Sequence, residues 1–188
     1  RGVDQSDEEA VQWYRKAADK GDADAQFQMG LAYANGRGVD QSDEEAVQWY
    51  RKAANQGDAD AQFFMGVAYA NGRGVDQSDS ETVRWYRKAA DQGDADAQCS
   101  LGRAYANGRG VDQSDEEAVR WYQRAADKGH ANGQFFLGDT YEEGRGVDES
   151  DEEAMRWYQL AADQGHADAQ CFLTSLRVSA EKETSIKK

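Results

Sequence analysis

Residues 23–57 read ADAQFQMGLAYANGRGVDQSDEEAVQWYRKAANQG, two amphipathic segments on either side of a glycine-bracketed loop. In the first, Ala25, Met29, Ala32 and Tyr33 fall at i, i+4, i+7 and i+8, the apolar stripe of an α-helix. This spacing predicts a helix, termed helix A, over 23–35. In the second, Ala46, Val47, Trp49, Tyr50, Ala53 and Ala54 form a broader apolar face and predict helix B over 43–55. Ser42, with Glu45 three residues on, reads as a capping box. The hydroxyl takes one free helix N–H, and the carboxylate reaches back to the Ser42 N–H. Asp43, Glu44 and Glu45 open helix B and Arg51 and Lys52 come near its end, in line with the helix dipole. Gly36 and Gly57 stand where each helix must stop in a left-handed turn.

Outward from this stretch the same text recurs. Trp13, Trp49, Trp85, Trp121 and Trp157 are spaced by thirty-six residues, and so are Ser6, Ser42, Ser78, Ser114 and Ser150. A fixed period of roughly 20 to 50 residues marks a stacked array, in which each unit buries its apolar face only against its neighbours. Gly30, Gly66, Gly102 and Gly138 recur inside helix A, where glycine costs about 1 kcal/mol relative to alanine. Their recurrence predicts a close approach by a neighbouring helix. The Ala-rich face of helix B would permit it, with Trp and Tyr filling the remaining volume. Those aromatics are read as packing core and not as a ligand cage.

The pattern Ala25-Gln26-x-x-Met29-Gly30-x-x-Tyr33-x-x-Gly36-x-Gly38-Val39, followed by Glu45-Ala46-x-x-Trp49-Tyr50-x-x-Ala53-Ala54-x-x-Gly57, resembles the Sel-1-like repeat family. These are helix-pair solenoids related to tetratricopeptide repeats, and the resemblance covers about residues 1–178. Two departures stand out. Asp40 occupies a place where the family often carries proline, and the disulfide within each repeat of a cysteine-rich bacterial branch has no counterpart here. The resemblance implies an all-α fold, a curved right-handed α-α superhelix (solenoid) of 36-residue helix-pair repeats with helix A lining its concave face. The expected layout is a single solenoid over 1–178. It comprises an unpaired helix B over 6–20, four full helix pairs, and a capping helix over 167–178 in which Thr174 and Arg177 replace the earlier glycine and tyrosine. A polar, frayed tail is expected over 179–188. Arg1 falls mid-repeat, as comparison with Arg37-Gly38-Val39 shows, and reads as the start of a fragment.

Where the copies differ is informative. The first two diverge at only four positions: Asp19/Asn55, Lys20/Gln56, Gln28/Phe64 and Leu31/Val67. Two of these lie in helix A opposite its packing face. Read through all copies, that side gives Phe27, Phe63, Cys99, Phe135, Cys171, then Gln28, Phe64, Ser100, Phe136, Phe172, then Leu31, Val67, Arg103, Asp139, Ser175. A near-identical scaffold with diverging outward residues is what a binding surface produces. The columns of 28 and 31 are expected to be exposed, whereas the Phe27 column can also wedge between adjacent helices. If helix A lines the concave face, Phe27, Leu31, Phe63, Phe64 and Val67 make its apolar end, and Arg103, Asp139, Glu142 and Glu143 its polar end. Asn35, Asn71 and Asn107 form a ladder that suits an extended peptide backbone or, equally, caps the helix ends. The outward face of helix B, with Glu44, Gln48, Arg51, Lys52 and Asn55, is expected to be solvated surface.

Composition narrows the function. The chain of 188 residues has net charge −14, from 36 acids and 22 bases, and no proline. Such a surface repels phosphate backbones and anionic lipid, so nucleic acid is excluded as a partner. The longest apolar run, Phe63–Ala70, is too short to insert in a membrane. Cys99 and Cys171 share one repeat position two copies apart. That places them roughly 20 Å apart at about 10 Å per layer, beyond the ~7 Å a disulfide allows. Cysteine usage of this kind fits a reducing compartment. His130 and His166 replace aspartates at helix A starts and are read as helix-terminus residues, not metal ligands. No catalytic constellation, metal set or cofactor motif is found. The expected function is a non-enzymatic scaffold or adaptor holding a protein or peptide partner with basic and apolar residues. Its site would comprise Phe27, Gln28, Leu31, Asn35, Phe63, Phe64, Val67, Asn71, Ser100, Arg103, Asn107, Phe136 and Asp139. Two alternatives are an assembly module that self-associates end to end through its first helix and, more remotely, an enzyme or metal-binding protein.

Overall fold

The computed structural model describes residues 5–175, and all regular structure among them is helical. In order these are α1 (Gln5–Ala18), α2 (Ala23–Asn35), α3 (Asp43–Asn55), α4 (Ala59–Asn71), α5 (Asp79–Asp91), α6 (Ala95–Asn107), α7 (Asp115–Asp127), α8 (Ala131–Glu143) and α9 (Asp151–Asp163). A further helix, α10, runs over 167–175. The tail expected over 179–188 and the last residues of the final helix, 176–178, lie outside the described residues. The even-numbered elements are copies of helix A and the odd-numbered ones copies of helix B. The chain divides into two compact units, Arg1–Ala97 and Gln98–Lys188.

The local signals place the helix ends where the sequence does. Asp22 and Asp58 cap α2 and α4, their carboxylates accepting from the Ala25 and Ala61 N–H groups. Gly36 then turns left-handed at φ 65°, and the Arg37 N–H returns to the Ala32 carbonyl. Ser42 caps α3 and accepts from the Glu45 N–H at 3.2 Å, as expected. The reciprocal half of the box is not made. The Ser42 N–H donates instead to the Tyr33 carbonyl at 3.0 Å, and Ser78, Ser114 and Ser150 repeat this towards Tyr69, Tyr105 and Tyr141. A backbone bond across the A–B loop thus does the work expected of the glutamate; where arginine stands one turn on, the glutamate pairs with it, as Glu81 does with Arg84. α1 differs too. Ser6 lies inside it, and it ends at Ala18 and not at residue 20.

Each core is closed by three helices. In the first unit, Val11 and Ala18 of α1, Ala25, Met29 and Ala32 of α2, and Trp49 of α3 bury together. The next core combines Tyr50, Ala53 and Ala54 of α3 with Ala61 and Met65 of α4 and Trp85 of α5. The second unit follows the same plan, Tyr122 of α7 and Leu137 of α8 meeting Trp157 of α9. Burying one such large side chain stabilises by roughly 1.5–3 kcal/mol, and α3 and α9 each lend one face to each of two successive cores, Trp49 and Tyr50 on the first and Trp157 and Tyr158 on the second.

The helix A glycines are explained by this packing, with one correction. The group seated on each glycine is an aromatic ring, not the alanine face of helix B. A Cβ on Gly138 would stand 2.8 Å from ring carbons of Tyr158, and one on Gly102 would stand 2.6 Å from those of Tyr122. Gly30 against Tyr50 and Gly66 against Tyr86 fit more tightly still. The second glycine of the Gly-Arg-Gly loop has a separate role. Gly74 and Gly146 lie so near the start of the previous helix B that a Cβ would come 2.5 Å from the carbonyl carbons of Asp43 and Asp115.

A buried glutamine relay runs through the stack. The Gln26 amide donates to the Ala18 carbonyl at the end of α1, and its own oxygen accepts from Gln56 at 2.8 Å. Gln62 repeats this with Ala54 and Gln92, and Gln134 with Ala126 and Gln164. A helix end that would otherwise bury free carbonyls is satisfied by a side chain one helix on.

Candidate functional site

The outward side of helix A in the first unit is a connected sheet of rings. Phe27 lies 5.5 Å from Phe64, and Phe64 lies 5.7 Å from Phe63, centroid to centroid. Beneath them Tyr50 meets Phe27 and Phe64 at 5.8 and 5.3 Å, while Tyr86 stacks under Phe63 at 5.6 Å. The tyrosines that fill the glycine notches therefore also carry the phenylalanines. This support makes Phe27, Phe63 and Phe64 half-buried. Gln28, Leu31 and Val67, expected to be exposed, are half-buried as well, and Leu31 packs with Phe64 on the core that Tyr50 anchors.

Gln28, Leu31 and Asn35 come together in a depression of about 130 Å³ between α2 and α1. Its other wall is Asp7, Ala10, Val11 and Tyr14, with Arg37 paired to Asp7 at 3.1 Å. The α1 contribution was not foreseen, since it needs the packing of α1 on α2 to be known. Asn35, Asn71 and Asn107 are exposed, and each donates its amide N–H to the carbonyl four residues back at 2.7–2.9 Å. One N–H of each thus closes the helix end, and the amide oxygen and the second N–H are left for a partner. A larger open depression of about 550 Å³ lies on the other side of α3. Glu44, Val47, Gln48, Arg51, Lys52 and Asn55 line it with Gly74 and Val75. Lys52 is less free there than a solvated surface implies, its ammonium resting 3.6 Å from the Trp49 ring centroid.

In the second unit the same columns change character. Arg103 is exposed and lies over the Phe136 ring at 5.6 Å. Phe136 stacks on Tyr122 at 5.3 Å, and Phe135 continues the row towards Tyr158 and Phe172. Ser100 is half-buried and Asn107 exposed beside them in α6. Asp139 is ion-paired with Arg145, which also reaches Glu143 at 2.6 Å. Burial pushes the Asp139 carboxyl above its ordinary range although Arg145 draws it down. Tyr158 donates to Glu142 at 2.6 Å. Burial and that bond push its hydroxyl well above the usual phenol range. Tyr50 has no such acceptor, and its buried hydroxyl lacks a hydrogen-bond partner.

The two histidines act as helix caps. His130 Nδ1 accepts from the Gly133 N–H and His166 Nδ1 from the Ala169 N–H, at 3.0 and 3.2 Å, as aspartate does in earlier copies. Cys99 is buried and Cys171 exposed, and no disulfide joins them. Among the described residues no cluster of histidine, cysteine or carboxylate has the makings of a metal site, and no helix is long and apolar enough to cross a membrane.

The helix pair of this geometry is that of a known repeat. The model of the Sel1 repeat matches residues 1–22, 23–58, 59–94, 95–130 and 131–166. The chain belongs to the Sel1 repeat family. This Sel1 repeat protein is similar in structure to one from Oxalobacter formigenes, with 40% sequence identity over 90% of this chain and 67% of that one, at a TM-score of 0.84. It is similar, at 39% identity and a TM-score of 0.84, to a protective antigen present in uropathogenic Escherichia coli strains. That likeness covers 87% of this chain and 35% of the antigen, so the present chain spans about a third of its length. An immunity protein from Pseudomonas aeruginosa shares 25% identity over 86% of this chain and 59% of its own, at a TM-score of 0.57. No curated protein sequence matches the chain. Sel1 repeats form an interaction fold, and proteins built from them generally mediate contacts between proteins.

Proposed function

We propose that this Sel1 repeat protein is a non-enzymatic adaptor that holds a segment of a partner protein on the outward side of its A helices. The observation that supports the reading is the row of half-buried rings Phe27, Phe64 and Phe63 in the first unit. Tyr50 and Tyr86 hold these rings from below, so docking an apolar side chain on them freezes few rotors, the low-entropy contact that interface aromatics provide. Leu31 and Val67 widen the apolar strip, while Gln28, Asn35 and Asn71 offer polar atoms along it. In the second unit Ser100, Arg103, Asn107, Phe136 and Asp139 offer a more polar face. The acid surplus of the chain favours a partner segment that carries lysine or arginine beside its apolar anchors.

The test is affinity capture with the parent chain and a Phe63→Ala/Phe64→Ala variant, each shown to be folded by circular dichroism. A partner retained by the parent and lost by the variant is expected. A second variant, Phe64→Gln, guards against misfolding, because glutamine is what the first copy carries at this position as Gln28. Equal capture by all three proteins would move the site off helix A and sink the proposal.

A further inference from the structure

A net charge of −14 hides a basic row in the first unit. Arg15 and Lys16 of α1, Arg51 and Lys52 of α3, and Arg87 and Lys88 of α5 stand at the same two repeat positions, towards the ends of three successive B helices. In the second unit the row fades, to Gln123 and Arg124 of α7 and Gln159 and Leu160 of α9. α3 is packed on both sides, through Trp49 in one core and Tyr50 in the next. Its outward side is open all the same, with Gln48, Arg51, Lys52 and Asn55 exposed.

These cations are held in place by rings. Arg51 donates to the Tyr69 hydroxyl at 3.2 Å, and Arg15 to that of Tyr33 at 2.6 Å. The ammonium groups of Lys52 and Lys88 rest 3.6 and 4.0 Å from the Trp49 and Trp85 ring centroids. Neither Arg51 nor Lys52 has an ion-pair partner among the described residues. Glu44, the acid on the same depression, stands about 12 Å from Lys52 along α3 at 1.5 Å per residue. That exceeds the screening length of about 8 Å at physiological salt, so Glu44 does little to neutralise the doublet.

The surface beside the doublet suits an anionic segment with apolar side chains. The open depression of about 550 Å³ joins Val47 and Val75 to Arg51, Lys52 and two neutral polar residues, Gln48 and Asn55. An extended chain advances about 3.3–3.6 Å per residue, so every third residue falls about 10 Å on, the spacing of one helix layer. We infer that the outward face of α1, α3 and α5 is a docking site for an acidic segment of a partner protein. The segment lies along the stack, with a carboxylate at every third residue against successive doublets and an aliphatic side chain over Val47 and Val75. Cations already held by rings lose little freedom when it binds. A nucleic acid fits less well, because Trp49 and Trp85 are buried beneath their lysines and offer no face on which a base can stack. The inference is independent of the adaptor reading, which concerns helix A and a basic segment.

The test is fluorescence anisotropy at about 150 mM salt, where remote charges are screened. The full chain is titrated against a labelled, end-blocked peptide with glutamate at every third position and valine and alanine between. A Kd of about 50 μM or below is expected. Arg51→Gln/Lys52→Leu introduces the residues that the last copy carries as Gln159 and Leu160, so the fold accommodates both, and circular dichroism checks it. This variant is expected to bind about 10-fold more weakly. A peptide of the same composition with its glutamates contiguous is expected to bind the parent about 5-fold more weakly. No binding by the parent, equal binding by the variant, or equal binding of the two peptides would each overturn the inference. Tighter binding of an oligothymidylate of equal charge would overturn it in favour of a phosphate ligand. The chain alone is expected to sediment identically with and without the two substitutions. A dimer that the variant loses would mean that the acidic loops of a second copy fill the site, and would overturn the inference as well.

Discussion

Replacing Gly66 with alanine inverts the usual rule for helices. At an exposed helical position glycine-to-alanine stabilises by about 1 kcal/mol. Here the new methyl would fall into the ring of Tyr86, which is itself buried and stacked under Phe63 at 5.6 Å. Forcing an extra methyl into a packed site costs about 1–3 kcal/mol, and this contact, against a ring with no free direction, belongs at the upper end. Subtracting the propensity gain leaves a net loss of about 2 kcal/mol. For a chain of this length each kcal/mol moves Tm by roughly 2–4 °C, so a fall of roughly 4–8 °C is expected in a circular dichroism melt. Gly138→Ala should cost less, since its Cβ would stand 2.8 Å from the ring of Tyr158. The deciding experiment is a cycle with Tyr86→Leu. If the ring is the obstacle, Gly66→Ala becomes neutral or stabilising in that background, and the coupling between the two sites is about 2 kcal/mol. A rise in Tm for Gly66→Ala alone, or an equal loss in both backgrounds, would refute the reasoning.

Four further outcomes follow from the geometry. Ser78→Ala should destabilise by about 1 kcal/mol through loss of the α5 cap. Glu81→Ala should stay within about 0.5 kcal/mol, because Glu81 pairs only with Arg84 at the surface. Chemical denaturation distinguishes the two. Gln62→Leu should cost about 1–3 kcal/mol, read by the same method, since it strands both the Ala54 carbonyl and the Gln92 amide. Tyr50→Phe should be nearly neutral, as that hydroxyl has no partner to lose. Tyr158→Phe should cost about 1.5 kcal/mol or more with the bond to Glu142. The Asp139 carboxyl should titrate above the ordinary aspartate value in a carbon-detected NMR experiment. A carboxyl raised on folding contributes stability that is complete below its unfolded pKa and is lost as pH rises through the folded one. Asp139→Asn should therefore gain on the parent in thermal stability between pH 3 and neutrality, and an opposite trend would mean that Arg145 outweighs burial.

The boundaries of α2 and α3 were legible to the residue, because each is written in a side chain with one purpose, whereas α1 ends two residues before the expected one. Gly36 can turn left-handed, and Ser42 can cap. What was not legible is where a side chain goes once two helices face each other. Glu45 has the right spacing to close the capping box, but the loop folds the Ser42 N–H onto the Tyr33 carbonyl first, and no local pattern reports that. Gln26 recurred as plainly as Trp49, yet its relay became visible only once Ala18 and Gln56 were known to lie on either side of it. The outward columns were readable as variable positions, but not their depth. Phe64 is half-buried because the Tyr50 ring, driven there by Gly30, rises beneath it. Asn35 was readable either as a peptide contact or as a helix cap, and one of its N–H groups closes on the Leu31 carbonyl.

The sharing of α3 between two cores bears on how such an array changes length. A cut between α2 and α3 and a cut between α3 and α4 both split a core, so neither point separates finished modules. Removing thirty-six consecutive residues nevertheless rejoins two equivalent half-cores, wherever the removal begins. Trp85 would then close the pocket that Trp49 had closed, against side chains nearly identical to those it left. Removing eighteen would bring two like helices together and leave a tryptophan without its glycine-bearing neighbour. Length in this protein is therefore quantised but otherwise unconstrained, and insertion or loss of whole periods is a change that the fold itself barely registers.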